Sequence, residues 1–347
     1  MEGKAAPGAF GRRRPTLTGW GTVSQAFSHR VLPYDRADDL LDGALPFLRE
    51  GIEGGDRVLA VTTLAMHMLL RDKLGADAAG VEFFDSDRWY AHPARHLADT
   101  LALAETAAWQ KRRLRVLGEP AWARRGPAER SEWQRIEAIT NAAFADTGAA
   151  LLCAYSRTLP AGVVAASRQT HPETTRGRAT LPNPGYQDPW LYNARLDSGP
   201  LPPAPDDAFD LPIDVPDLYW IRVYVTDFAR RTPLPEDDLQ RLLVAVTEVV
   251  TNALRHGRPP IALRLWLEPG ELVCEVTDRG HWTERTGFGL IPPKPAGGAG
   301  RFGLWAVRLL CSLVQIRTGR DGTTVRLRLQ VPGVPAVPPI NLPVNSV

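Results

Sequence analysis

Residues 235–256 hold the clearest periodic pattern in the chain. At about 100° per residue, Leu239, Leu242, Leu243, Val246, Val249, Val250 and Ala253 fall on one broad arc, as on a helix that buries one face. Glu248, Asn252 and His256, spaced four apart, fall on a separate narrow stripe, and Gly257 ends the run. A core does not need this polar stripe. Upstream, "LYWIRVYVTDFARR" mixes strand and helix signals. Downstream, "IALRLWLEPGELVCEVTD" reads as two strands around the Pro-Gly turn at 269–270. Residues 280–300 are irregular and glycine-rich, 303–312 read as a helix, and "LVQIRTGRDGTTVRLRLQ" reads as a closing hairpin. Helices and antiparallel strands segregated in this way predict an α+β sandwich.

The first half of the chain alternates instead. "RVLAVTT" (57–63) is a buried-strand run followed by a helical "LAMHMLLRDKLG", and "GVEFFDS" is a second strand with a helix through 94–112. "LRVLGEP" is a third strand, "ERSEWQRIEAITNAAF" an amphipathic helix, "AALLCAYS" a fourth strand, and 159–168 a helix. Alternating β and α units predict a mostly parallel sheet covered on both faces. Two proline-rich stretches punctuate the chain, with nine prolines in 181–217 and five in 331–347. The first reads as largely extended and the second as a disordered tail. The expected division is a first domain over 20–180, a linker over 181–213, a second domain over 214–330 and a tail over 331–347.

Composition narrows the class. The 347 residues leave room for two domains, and 44% apolar with 23% charged residues is globular usage. A net charge of +2 gives no polyanion-binding surface, so no direct nucleic-acid partner is expected, and Arg12–Arg13–Arg14 reads as a solvated tail. Cys153, Cys274 and Cys311 show no C-x-x-C spacing, as reduced thiols would, and the dispersed His29, Cys153 and His171 make no metal motif by spacing. No apolar run nears the roughly 18 residues of a membrane span, and no signal-peptide pattern opens the chain. A cytoplasmic protein without a membrane partner is expected.

Three pieces of the second half carry chemistry together. They are the Glu248/Asn252/His256 stripe, "VTDRGH" (276–281) with an aspartate at a strand end, and "GGAGRFGLW" (297–305) with glycines ahead of a helix. Singly, Asn252 and His256 read as a helix C-terminal network and Asp278 as a turn residue. Jointly and in order they suit a nucleotide. An Asn oxygen can ligate Mg²⁺, a carboxylate such as Asp278 can accept from an adenine amino group, and glycines before a helix bring backbone N–H groups to phosphate.

Residues 214–330 resemble the GHKL ATPase superfamily (the Bergerat ATP-binding sandwich), in the branch of small anti-sigma-factor serine kinases. The matching pieces are E-x-x-x-N-A-x-x-H at 248–256, D-x-G at 278–280, G-x-x-G-L at 300–304 and "GTTVRLRL" at 322–329. The resemblance implies that Glu248 activates the substrate hydroxyl, Asn252 holds Mg²⁺, Asp278 binds adenine and Thr323 lies near the base. It assigns His256, Gly280, Gly298, Gly300, Gly303 and Leu304 to the same ATP site. Trp282 stands where the second glycine of D-x-G-x-G would be, and the phosphate-proximal glycines are set one residue wider apart. No long helix with a central His precedes Glu248, because the prolines forbid one; a two-component histidine kinase is not expected.

In the first half, "HRVLPYDRADDLLDGALPFLREGIEGGDRVLAVTT", "VEFFDSDRWYAHP", "LRVLGEPAW" and "LLCAYSRTLP…THPE" are similar to the MEDS sensory domain. That resemblance implies a RecA-like parallel sheet and an association with kinase modules of this type in actinobacteria. "TTLAMHML" after the first strand lacks G-x-x-x-x-G-K-S/T, so no phosphate cradle is expected there. The sheet's switch-point crevice would take a small, partly apolar ligand instead, with Asp85, Tyr90, Glu119, Tyr155 and His171 as polar candidates. The expectation is a cytoplasmic regulator of transcription, an ATP- and Mg²⁺-dependent serine kinase acting on an anti-anti-sigma (STAS-type) partner under sensory control. A possible homodimer is implied by the family. The alternative is a catalytically weak, ATP-dependent binding module that sequesters a sigma factor or STAS partner without phosphotransfer. An unrelated ATPase using GHKL-type closure is disfavoured, because no further transducer domain is present.

Overall fold

The computed structural model describes residues 26–122, 124–213, 217–281, 287–293 and 302–332. Trp282, Gly298, Gly300 and residues 333–347 of the expected tail lie outside them. The first unit runs β1 (Ser28–Tyr34), α1 (Ala37–Glu53), β2 (Arg57–Thr62), α2 (Leu64–Leu74), β3 (Val81–Asp85), α3 (Ser86–Trp89), α4 (Pro93–Trp109) and β4 (Leu114–Gly118). It continues with α5 (Pro127–Ala143), β5 (Ala150–Ser156), α6 (Ala161–Thr170), β6 (Glu173–Arg176) and β7 (Ala179–Pro182). Its seven strands lie in the order β3-β2-β4-β5-β1-β6-β7. All pairings are parallel except β6 with β7, so the α/β expectation holds. Both faces are packed. Leu32, Ala60 and Leu117 point to the face that buries Leu40, Phe47 and Leu70, and Val31, Val61 and Val116 to the face that buries Leu97, Trp133 and Ile136.

The stretch expected to be an extended linker is partly regular. Within 181–213, helix α7 (Pro189–Ser198) forms because Asp188 caps its first turn by accepting from Trp190 N and Leu191 N, while Pro189 takes the first helical position. No proline falls between 190 and 199 to stop it. β8 (Phe209–Pro212) pairs with β9 and so belongs to the second sheet.

That sheet has the order β11-β12-β10-β9-β8 and is antiparallel throughout. The remaining elements are α8 (Leu218–Ala229), α9 (Glu236–His256), β9 (Ala262–Glu268), β10 (Glu271–Asp278), α10 (Gly303–Leu310), β11 (Leu313–Gly319) and β12 (Gly322–Gln330). The ambiguous 218–229 segment resolves as a helix, with Asp217 capping Tyr219 N and Trp220 N, and Ile221, Val225 and Ala229 buried one turn apart. Every residue of the expected apolar arc of α9 is buried, against Leu263, Leu265, Cys274 and Leu327 of the sheet. The result is the two-layer α+β fold of a GHKL ATPase. The opposite face mixes charged groups with the buried Trp266 and Val273, and Arg326 there bonds Glu275 and the Pro202 carbonyl of the chain between α7 and β8.

The two units share a packed boundary. Leu290, immediately after the 287–289 turn, is only 2% exposed and sits in the same cluster as Ile136, Ile139 and Trp133 of α5. His92 donates from Nε2 to the Cys311 carbonyl at 2.9 Å, and Arg95 donates to the Leu309 carbonyl at 3.2 Å. Between them lies a buried ion network. Glu132 contacts Arg308 of α10 at 3.4 Å and Arg135 at 3.0 Å, and Arg135 contacts Asp197 of α7 at 2.6 Å. Pairing each of these guanidiniums with a carboxylate offsets the cost of burying them.

Two outcomes follow for stability. Glu132→Ala removes the buried carboxylate that Arg308 and Arg135 share, so unfolding by denaturant should show a loss of about 3–5 kcal/mol; a change under 1 kcal/mol would mean the network is not held together in solution. Burial lowers the pKa of His92 and pushes that of His96 down to about 3. Both imidazoles are therefore neutral in the fold, and below the unfolded value of about 6.5 the unfolded chain binds more protons. Stability should fall as pH drops from about 6.5 towards 4, with a shallower slope in His96→Asn.

Candidate nucleotide site

α9 places the polar stripe beside the start of α10. Asn252 Nδ2 donates to Glu248 Oε1 at 3.2 Å, which orients the amide so that Asn252 Oδ1 is the atom left for a cation. The first residue of α10, Gly303, lies so near this carboxylate that a Cβ would sit 2.0 Å from Glu248 Oε1. Only glycine admits that approach, and it brings the positive end of the α10 dipole to the anionic side chain. Gly289, at φ +72°, crosses the same helix start, where a Cβ would meet the Leu304 carbonyl carbon at 2.6 Å. Leu304 is partly buried against the second core. His256 is exposed at the helix end.

The other end of the stripe meets Asp278. Its carboxylate is 6% exposed, and Oδ1 accepts from Gly280 N at 2.5 Å and from Arg258 N at 3.3 Å. Those two bonds fix the side chain and leave Oδ2 to accept from a ligand. Burial raises the Asp278 pKa, and the two backbone amides oppose that rise. Gly257, just past α9, packs against the carboxylate, where a Cβ would meet its Cγ at 2.5 Å. β10 and β12 pair Asp278 with Thr323 across the ladder, and Thr323 Oγ1 donates to the Gly280 carbonyl at 3.0 Å. Asn252 lies five residues before Gly257, about 7–8 Å along the helix axis at about 1.5 Å per residue. The carboxylate corner and the Glu248/Asn252 corner therefore suit two ends of one elongated molecule.

In the first unit the polar candidates scatter. Asp85 caps α3 by accepting from Arg88 N. Glu119 accepts from the Tyr34 hydroxyl at 2.7 Å at the strand ends, which raises the Tyr34 pKa together with burial. Tyr155 is buried between Trp122 and His171. Tyr90 lines a cavity of about 30 Å³ under α4 and α5, together with His29, His96, Glu137 and Cys153. That cavity lies beneath one face of the sheet, away from the crevice at the strand ends. His29, Cys153 and His171, which make no motif by spacing, do come together with Glu137: their ligand atoms lie within 4.8 Å of one another. Sequence spacing missed this cluster and the Glu132–Arg308 network. The signal available for both was the density of charged residues on α5, whose buried side carries Glu132, Arg135 and Glu137 beside Trp133 and Ile136.

Comparison with known proteins places both halves. Residues 28–172 match the family model of MEDS, the MEthanogen/methylotroph, DcmR Sensory domain, and residues 211–329 match that of the Histidine kinase-like ATPase domain. Among solved structures the chain is similar to the RsbU and RsbW domains of Rv1364c from Mycobacterium tuberculosis, at 21% identity over 37% of this chain and 33% of that one, with a TM-score of 0.28. It is also similar to the histidine kinase domain of the E. coli osmosensor EnvZ, at 18% identity over 37% of this chain and 92% of that one, with a TM-score of 0.24. The chain thus spans about a third of the length of the mycobacterial structure. No curated protein matches it. From its two family matches, this chain joins a MEDS domain to a histidine kinase-like ATPase domain.

Proposed function

We propose that the protein is an ATP-dependent serine kinase of the anti-sigma-factor type, acting on a small STAS-type partner and controlled by its MEDS domain. The observation that carries this reading is the pairing of Glu248 with Asn252 against the first residue of α10, with Asp278 fixed at the far end of the same helix. Asp278 Oδ2 accepts from the adenine amino group, and Thr323 braces the Gly280 carbonyl beside it. Asn252 Oδ1 is an oxygen donor of the kind Mg²⁺ takes, so the residues present fit that ion. When bound, Mg²⁺ neutralises phosphate charge and so favours phosphoryl transfer. Glu248, its Oε1 engaged by Asn252, retains Oε2 to accept the proton of the attacking hydroxyl.

Control by the first domain has a physical route. Leu290 lies beside the start of α10 and Arg308 in its last turn, and both are anchored on α5. A ligand that binds the MEDS domain differently in two positions of α5 would bias α10 and hence the nucleotide site.

Asn252→Ala should abolish Mg²⁺-dependent ATP binding in calorimetry while circular dichroism stays native; unchanged affinity would reduce the Glu248/Asn252 pair to a structural contact. Glu248→Gln keeps size and the bond from Asn252 but cannot take a proton. Its ATP affinity should stay within a few-fold while transfer from radiolabelled ATP to a STAS-type acceptor drops ~10²–10⁴-fold. Wild-type protein that binds ATP yet labels no acceptor would favour the binding-module reading instead.

A further inference from the structure

The MEDS domain holds a cluster that the nucleotide site does not use. His29 of β1, Glu137 of α5, Cys153 of β5 and His171, the residue after α6, are all buried on one face of the sheet. Their ligand atoms all lie within 4.8 Å of one another, and three of the separations approach those of a coordination shell. Cys153 Sγ lies 3.5 Å from His29 Nε2, His171 Nε2 lies 3.3 Å from Glu137 Oε2, and His29 Nε2 lies 3.7 Å from the same oxygen. A tetrahedral ion with bonds of about 2.0–2.3 Å to such donors sets edges of about 3.3–3.6 Å between them.

The hydrogen bonds behind the cluster decide which atoms face its centre. Asn141 donates through Nδ2 to the Thr170 carbonyl at 2.7 Å and to the Ala138 carbonyl at 3.0 Å, so its Oδ1 is an acceptor. His29 Nδ1 lies 3.1 Å from that Oδ1 and must donate to it. His171 Nδ1 lies 2.8 Å from the Ser167 carbonyl, which can only accept. In their neutral form both rings therefore turn an Nε2 lone pair inwards, towards the Glu137 carboxylate. The His171–Glu137 approach lacks the alignment of a hydrogen bond, and His171 Nε2 has no hydrogen-bond partner. Two ring nitrogens, a carboxylate oxygen and a sulfur thus converge around one point, with the Cys153 thiol proton the one a metal ion would displace, and this donor set suits a cation at the centre. A ring nitrogen aimed inwards by a bond from the other nitrogen is also how proteins orient metal-ligating histidines.

We propose that His29, Glu137, Cys153 and His171 bind a divalent transition-metal ion of the class of Zn²⁺. Two imidazoles, a carboxylate and a thiolate form a mixed N, O and S set that suits such an ion and not Mg²⁺ or Ca²⁺. Cys153 enters as thiolate, its proton leaving to solvent, and the two anionic ligands then cancel the ion's charge, as burial demands. The cavity of about 30 Å³ beside the cluster is lined by His29, Glu137 and Cys153 themselves, with Tyr90, His96 and Phe144. Glu137 also puts the ion on the helix whose Glu132 meets Arg308.

The test uses the full chain, purified without a metal-binding tag. Elemental analysis should find about one equivalent of Zn²⁺. After chelation, Co²⁺ should produce intense visible bands of a tetrahedral site with a thiolate charge-transfer band in the near ultraviolet. Cys153→Ser should remove that near-ultraviolet band, and Asn141→Ala should weaken Zn²⁺ binding about 10–100-fold through the lost orientation of His29. Zn²⁺ should raise the melting temperature of the chelated wild type, and Mg²⁺ should not. If His29→Ala/His171→Ala cannot be folded, the Cys153→Ser spectrum and the wild-type melting shift still decide the matter. Wild type that takes up no Zn²⁺ and shows no melting shift would overturn the proposal in favour of a buried His171–Glu137 ion pair. A Co²⁺ spectrum unchanged in Cys153→Ser would place the ion elsewhere and overturn it as well.

Discussion

A charge buried between two domains has to be neutralised where it lies, and Glu132 is a buried carboxylate that does so for Arg308. This one pairing ties α10, at the edge of the nucleotide site, to α5, the central helix of the MEDS domain. Glu132 also holds Arg135, which holds Asp197 of α7, so the segment joining the domains is locked into the same network. Removing Glu132 takes a carboxylate from two buried guanidiniums at once, at several kcal/mol. Together with Leu290 seated beside Ile136 and Ile139, it makes the domain boundary a continuation of the first core.

That arrangement bears on how the nucleotide site works. Gly303 packs on the Glu248 carboxylate and Gly289 crosses the start of α10, so neither segment can move without disturbing Glu248. Both are held from the far side by α5. Under the proposed function the second domain supplies the chemistry, while the position of its α10 depends on contacts made by the first. Under the metal proposal, α5 carries a ligand, Glu137, and an interface anchor, Glu132, on one rigid element.

Much of the second domain was legible in its periodicity. The apolar arc of α9 is unbroken, the Pro-Gly turn sets β9 against β10, and the glycine-bounded hairpin sets β11 against β12. Register then brings Asp278 opposite Thr323, a consequence of turn positions the sequence displays. The first domain hid more. Pro33 interrupts the strand pattern of β1, although that strand lies inside the sheet, between β5 and β6. The prolines of 181–217 conceal α7, whose start is set by Asp188 and Pro189 rather than by an apolar stripe. The His29, Glu137, Cys153 and His171 cluster was invisible for a different reason. Its members come from four separated segments, and only the strand order β5-β1-β6, which no local pattern encodes, brings them together.

Hydrogen exchange of the full chain with and without Mg-ATP tests the coupling of nucleotide site and MEDS domain most directly. ATP should slow exchange in α9 and α10, and also in α5 and the 287–293 segment, because Leu290 and the Glu132–Arg308 contact make them one mechanical unit. Protection confined to the second domain, with α5 exchanging at the same rate in both states, would contradict that coupling and leave the two domains as independent neighbours on one chain.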